Sequence, residues 1–535
     1  MKAPFFKLIS LLLLLFSLFS CQQEKEQVQA PKKPNILFAI SDDQSYPYAS
    51  IYGATGVSTP NFDRVAKSGM LFHNAFVAAP QCSPSRAAIL TGKNIWQLEE
   101  AGTHSSYFPK KFTVFTQLLE NNGYKIGYTG KPWGPGNFKD AGWEHNPVGP
   151  AYRDIYYEEK PNTGITTLNY AANFEAFMQE RNPDEPFFFW YGGYEPHRPY
   201  QFNSGFEAGK KAEEVQLPGF LPQDSITIKD IADYALEIEW FDSHLGKMLD
   251  LLEEKGELEN TIVIVTADNG MPFPYAKANL QEYGTHVPLS IAWPAQWEKG
   301  RESDALVSMI DIAPTLLEVT GSDALPEVTG KSLVPLLGSN QAVRDYVLTG
   351  RERHTHARPD NLAYPARAIR TKEYLYIRNF KPDRWPAGDP KPEDREDLDG
   401  NGFRTFGLGY ADVDGSPSKT YMIENQEKEP ELFELAFAKR PEEQLYNVQQ
   451  DPYCLNNLAE DEALTAVKAQ LANQLEELLK EQGDPRIFGK GDIIESYPRF
   501  AVMRNFSGFK QSGVYNSDFI PEEMKADTII PQPVR

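Results

Sequence analysis

Four short apolar runs constrain this chain most. Asn35–Ser41 (NILFAIS), Tyr124–Thr129, Pro186–Tyr191 (PFFFWY) and Thr261–Thr266 (TIVIVT) are apolar almost without a break. A strand with one wet face alternates polar and apolar residues, whereas a continuous apolar run marks burial on both faces, the habit of parallel strands covered by helices. Helical stretches separate the runs. The longest, Ile228–Lys255, carries Ile231, Ala235, Ile238, Phe241, Leu245, Met248, Leu249 and Leu252 on a spacing of three and four. Thr227, with Asp230 three residues on, predicts its N-cap and Gly256 its stop. The pattern predicts an α/β fold, a mostly parallel sheet with helices on both faces. Sites in such sheets gather at the carboxyl ends of the strands, so the polar residues just after each run matter most.

Beyond about residue 340 the texture changes. Asp383–Gly415 is rich in Asp, Gly and Pro, Glu431–Tyr446 suggests short strands, and Asp461–Gln482 reads as an amphipathic helix with Leu464, Val467, Leu471, Leu475 and Leu478 on one stripe. We therefore expect a catalytic domain over 34–340 and a smaller α+β subdomain over 341–535 that completes the substrate pocket. Asp397–Gly402 starts like a calcium-binding EF-hand loop, but position twelve is Leu408 where a bidentate Glu is required, so a Gly-rich turn is the better reading. At the other end, Lys2 and Lys7 precede Leu8–Phe19. At about 12 residues this is too short to span a bilayer and reads as the core of a signal peptide over residues 1–20. A net charge of −22, or −24 once Lys2 and Lys7 leave with the leader, argues against nucleic-acid partners. Three cysteines, Cys21, Cys82 and Cys454, exclude a disulfide scaffold.

The first run ends in Ser41-Asp42-Asp43 and the last in Thr266-Ala267-Asp268-Asn269-Gly270. Adjacent carboxylates at the end of a buried strand are costly unless a cation sits beside them, and two such ends in one sheet offer oxygen ligands to a hard divalent metal. Between them lies Cys82-Ser83-Pro84-Ser85-Arg86, followed by Ala87-Ala88-Ile89-Leu90-Thr91-Gly92. This motif resembles the signature of the type I sulfatases. The resemblance extends over about residues 34–480 through Gly123-Tyr124, Gly130-Lys131, Pro196-His197, Asp268-Asn269-Gly270 and Gln444-Leu445-Tyr446.

The resemblance implies a set of roles. Cys82 is converted by a maturation enzyme to formylglycine, whose hydrate attacks sulfur. Asp42, Asp43, Asp268, Asn269 and the modified Cys82 hold Ca²⁺. Arg86 orients the formylglycine hydroxyls, Lys131 and Lys277 supply positive charge to the sulfate, and His197 protonates the leaving group. One departure stands out: the family usually has His two residues after the lysine of Gly-Lys, and here that place is Trp133. His104 is the candidate substitute, and the loss keeps open a non-catalytic glycan-binding lipoprotein. A phosphatase or phosphonate-ester hydrolase of the wider superfamily is a further alternative. Asn269–Pro274, Lys277 and Asn279-Leu280 look closest to the heparan N-sulfatase (sulfamidase) subgroup, with an O-sulfatase on an algal polysaccharide such as ulvan as the alternative. Arg351, His354 and His356, in a run of three Arg and two His ending at Arg358, are expected to attract the sulfated sugar. Trp133 and Tyr194 are compatible with sugar stacking. Finally, Leu18-Phe19-Ser20-Cys21 resembles a bacterial lipobox. It implies lipidation at Cys21, a tether over 21–33, and an exported outer-membrane lipoprotein of a Gram-negative bacterium that meets the membrane only through its anchor.

Overall fold

The computed structural model describes residues 32–391 and 408–522. The leader, Cys21 and most of the tether lie outside the described residues, as does the Asp397–Gly402 segment. Eight strands form the main sheet: β1 (Asn35–Ser41), β2 (Met70–Phe76), β3 (Lys125–Gly130), β4 (Phe187–Gly192), β5 (Thr261–Ala267), β6 (His286–Ala292), β7 (Arg301–Ser303) and β8 (Val307–Ser308). Their order is β3-β4-β1-β5-β6-β2-β7, with β8 also beside β2. The β3-β4-β1-β5 half is parallel throughout, and β6 runs antiparallel to both of its neighbours. The sheet is thus mostly parallel, as the apolar runs require.

Successive residues of β1 show why those runs are unbroken. Ile36, Phe38 and Ile40 enter one core, and Leu37 and Ala39 enter the other, all fully buried. Helices Cys82–Thr91 and Ile312–Thr320 pack on the first face. Helices Tyr170–Glu180 and Ser225–Glu254 pack on the second, through Phe174, Phe177, Phe241, Leu245 and Met248. Burying each such side chain stabilises the fold by about 1.5–3 kcal/mol, so the two cores hold the strand ends firmly in register. The long helix begins one turn before its expected start. Asp224, not Thr227, caps it, because its carboxylate accepts from the amides of both Ile226 and Thr227.

A second sheet of four antiparallel strands follows: β9 (Val347–Arg351), β10 (Ala366–Arg370), β11 (Tyr374–Asn379) and β12 (Glu443–Asn447), in the order β12-β11-β10-β9. Helix Thr465–Glu481 sets Leu471, Leu475 and Leu479 against Tyr376 of β11 and Leu445 of β12. The expectation of short strands over Glu431–Tyr446 needs correction. Only β12 is a strand, and Pro430–Phe437 is a helix. Pro430 at its first turn and the Leu432, Phe433, Ala436, Phe437 spacing place one face on Tyr410 and Met422.

Candidate active site

The carboxyl ends of β1, β3, β4 and β5 converge. Asp42 and Asp43 leave β1, with the Asp42 amide donating to Glu195 O (3.1 Å) and the Asp43 amide to Asp268 Oδ1 (3.1 Å). Asp43 takes the left-handed conformation, φ 65°, which is uncommon outside glycine and costs about 1 kcal/mol. Cys82 opens its helix behind an extended Gln81, and its Sγ lies 3.3 Å from Asp42 Oδ1 and 4.0 Å from Asp43 Oδ1. Ligand atoms of Asp42, Asp43, Cys82 and Asp268 all fall within 4.8 Å of one another, and all four residues are buried. Asn269 donates through Nδ2 to Asp43 Oδ1 (2.5 Å), while its Oδ1 is buried with no hydrogen-bond partner.

That donor set fits a hard divalent cation. An orphaned buried amide oxygen beside three carboxylates is the environment such an ion satisfies. Burial, and then the neighbouring Asp268, push the Asp42 carboxyl up, a cost that a bound cation would offset. Burial and Asp42 push the Cys82 thiol well up too, so as a thiol it is a poor nucleophile here.

Three cations frame the cluster. Lys131 Nζ is 2.5 Å from Asp42 Oδ2, and Lys277 Nζ is 2.6 Å from Asp43 Oδ2. Arg86, wholly buried, donates through Nε to Asp268 Oδ2 (2.8 Å) and through Nη1 to the carbonyls of Lys131 (2.6 Å) and Pro132 (3.2 Å). Arg86 therefore ties Asp268, at the end of β5, to the lysine loop. Burial alone would raise Asp268, but Arg86 and Lys131 hold it down to about 2. Gly130 makes the junction of β3 and β4 possible: its φ is +74°, and a Cβ there would sit 1.9 Å from Gly192 O.

A cavity of about 610 Å³ opens onto this cluster, lined in part by Asp42, Cys82, His104, Lys131, His197, His354 and Asp414. His197 Nδ1 lies 2.6 Å from the Arg198 carbonyl, which can only accept, so Nδ1 carries a proton. Its Nε2 faces Asp43 Oδ2 at 3.9 Å. By the same logic His104 Nδ1, 3.1 Å from His354 O, is the protonated nitrogen and leaves Nε2 able to accept. Burial, then His354 and the nearby cations, push His104 well below the ordinary imidazole range. Trp133 takes no part in the cavity. It is buried, donates from Nε1 to Ser83 O (3.1 Å) and stacks edge-on with Phe108, so of the two aromatics suggested for sugar stacking only Tyr194 lines the cavity.

The structure brings together Asp42, Asp43, Cys82, Arg86, Lys131, His197, Asp268, Asn269 and Lys277, and sets His104 and His354 beside them. It corrects the expectation for Arg351 and His356. Arg351 is buried, bonding Asn279 Oδ1 (2.6 Å) and Asp412 Oδ2 (3.0 Å). Arg358 pairs with the same Asp412 (2.6 Å). His356 is wholly buried and accepts the Arg504 amide at Nδ1. These charges hold a turn in place and leave its His354 and Thr355 on the cavity wall. Asp414, absent from the sequence reading, is the unforeseen member. Its loop has no local pattern beyond Asp and Gly, and only the tertiary fold brings it within 3.3 Å of Lys277 Nζ.

Comparison with known proteins accords with this geometry. The family described as Sulfatase matches residues 34–322, and N-sulphoglucosamine sulphohydrolase, C-terminal, matches residues 274–399. An ulvan-active sulfatase of Formosa agariphila is 29% identical over 463 residues, covering 85% of this chain and 81% of its own. The human N-sulphoglucosamine sulphohydrolase is 27% identical over 505 residues, covering 86% and 93%. A protein solved in complex with its substrate D-glucosamine-2-N,6-O-disulfate shares the fold, with a TM-score of 0.60 at 19% identity over 85% of this chain and 99% of that one.

Proposed function

The chain belongs to the sulfatase family, and from that membership we propose that it removes sulfate from a sulfated glycan, terminal N-sulfated glucosamine being the leading substrate. Cys82 is the residue that would carry the nucleophile after conversion to formylglycine, and Asp42, Asp43, Asp268 and Asn269 would hold calcium. The observation that carries this reading is the buried carboxylate cluster with its orphaned Asn269 oxygen, set at the floor of a cavity shared by Cys82 and His197. The C-terminal family match and the human relative support the N-sulfate assignment.

A cation bound there would polarise a sulfate oxygen as a Lewis acid. Lys131 and Lys277 meet the remaining sulfate charge from opposite carboxylates, and their burial strengthens that attraction. Arg86 keeps Asp268 and the Lys131 backbone in register. His197, doubly protonated with Nδ1–H held by the Arg198 carbonyl, delivers its Nε2 proton to the departing oxygen or nitrogen, and His104 Nε2 accepts the proton given up at residue 82. In this way His104 takes the task left open by Trp133. We further place the protein outside the cytoplasm, anchored through a lipid at Cys21 and dependent on a formylglycine maturation enzyme.

Two measurements test this. Mass spectrometry of the peptide containing residue 82, after co-expression with a maturation enzyme, should show formylglycine; an unmodified cysteine sinks the nucleophile. Sulfate release is then followed over desulfation-defined heparin disaccharides and algal oligosaccharides. Release from N-sulfated glucosamine supports the leading substrate. Release from O-sulfated algal sugars alone replaces it with the second reading, which the ulvan-active relative favours. Tight binding without any release would point to a glycan-binding lipoprotein.

A further inference from the structure

Asp414 stands just before helix Pro417–Glu424, far in sequence from the strand ends. Its Oδ2 is buried, 3.3 Å from Lys277 Nζ, and completes no hydrogen bond. A quarter of the side chain stays exposed on the wall of the cavity that holds Cys82 and His197. Burial alone would raise this carboxyl; Lys277 holds it well below the usual carboxylate range, so it is ionised at neutral pH. A carboxylate facing a sulfate site is unexpected, because it repels the group the site must bind.

The charges around it explain its presence. The three buried carboxylates of Asp42, Asp43 and Asp268 are balanced by Arg86, Lys131 and Lys277. A divalent cation then leaves two positive charges in this cluster, and Asp414, beside Lys277 on the cavity wall, lowers that excess by one and meets any second anion with a like charge. We infer that Asp414 is a specificity residue that admits sugars bringing one negative charge into the cavity and disfavours a second sulfate on the same ring. The inference rests on the sulfate-ester reading above. In place of a second anion, the carboxylate offers an acceptor to a sugar hydroxyl. A site built to hydrogen-bond a hydroxyl discriminates strongly against a ring that presents something else there.

The test compares glucosamine N-sulfate with glucosamine N,6-disulfate by calorimetry on calcium-loaded protein whose Cys82 is unconverted, so that binding is read without turnover. Wild type should bind the monosulfate about tenfold more tightly, about 1.4 kcal/mol. Asp414→Asn should erase that preference mainly by improving disulfate binding, and Asp414→Glu, which keeps the charge, should retain it. Circular dichroism confirms that each variant is folded. Equal changes for both probes in Asp414→Asn, or a wild-type preference for the disulfate, would overturn the inference. Sulfate release by the matured protein is followed in parallel. No release from either probe overturns the substrate reading itself, whereas release with the same probe ratio in wild type and Asp414→Asn overturns only the role of Asp414.

Discussion

Replacing Arg86 with Met separates the metal site from the scaffold that holds it. Arg86 is wholly buried, and its loss leaves the buried Asp268 carboxylate without its paired cation, held only by the Asp43 amide and the field of Lys131. Removing one partner of a buried pair costs about 3–5 kcal/mol. The two carbonyls it bonds add little. Lys131 O keeps the Trp190 Nε1 donor at 3.1 Å, and Pro132 is half-buried, so water can reach its carbonyl. In chelator, Arg86→Met should therefore lose about 3–5 kcal/mol in guanidinium unfolding followed by tryptophan fluorescence. Calcium should restore much of this, because a divalent ion beside Asp268 supplies the missing charge. Taking a cation away from a cation site also raises metal affinity, by about tenfold, about 1.4 kcal/mol. The variant should thus be less stable without calcium yet bind calcium more tightly by calorimetry. Arg86→Lys, which keeps the charge but loses the fork, should fall between. An identical stability deficit with and without calcium, or an unchanged calcium affinity, would refute the placement of the ion next to Asp268.

Four further outcomes are expected. His197→Asn should slow turnover about 10²–10⁴-fold on sugar substrates and much less on aryl sulfates, whose leaving group needs no proton; equal losses on both would remove His197 as the donor. His104→Ala should lower kcat by a similar factor. A base works in its neutral form, and because burial holds His104 well below 6.5 the wild-type acid limb should lie at lower pH than an ordinary imidazole would give, so a limb near 6.5 that survives in the variant counts against it. Glu282, which burial would raise, is held down to about 2 by Arg370 and His286, so its contribution is fully present above pH 4.5 and lost as pH falls toward 2. Glu282→Gln should accordingly cost about 3 kcal/mol at pH 7, with the gap to wild type closing as the pH drops through that window; a constant gap rules the linkage out. Gly130→Ala should fail to accumulate as folded protein or lose sulfate release, since its Cβ would meet the Gly192 carbonyl at 1.9 Å, and a fully active, equally stable variant would contradict that contact.

How far the sequence reveals this protein depends on where each signal lies. β1, β4 and β5 are legible because both faces of each strand are buried, so no polar residue interrupts the run. β2 carries half-buried His73 and Asn74 at a register shift, and β6 carries Pro288 and Ser290; neither shows a clean run or a clean alternation. The carboxylates of the candidate metal site are legible because they sit directly after readable strands. Arg351 and His356 mislead for the opposite reason. A dense run of charges looks solvent-facing, and only the fold shows Arg351 and Arg358 sharing the buried Asp412 carboxylate. Helix Pro430–Phe437 was obscured by its short length and its mixture of aromatic and acidic residues, which suits a strand nearly as well.

The cavity draws its walls from two sources. The buried carboxylates stand at strand ends of the main sheet, locked between two cores. The rest of the wall comes from loops, His104, Ile165 and Thr166 in the first part of the chain and His354, Thr355 and Asp414 beyond the second sheet's first strand. An insertion or exchange in those loops leaves the buried carboxylates untouched. Such an arrangement separates the residues that shape what fits the cavity from the buried carboxylates at its floor.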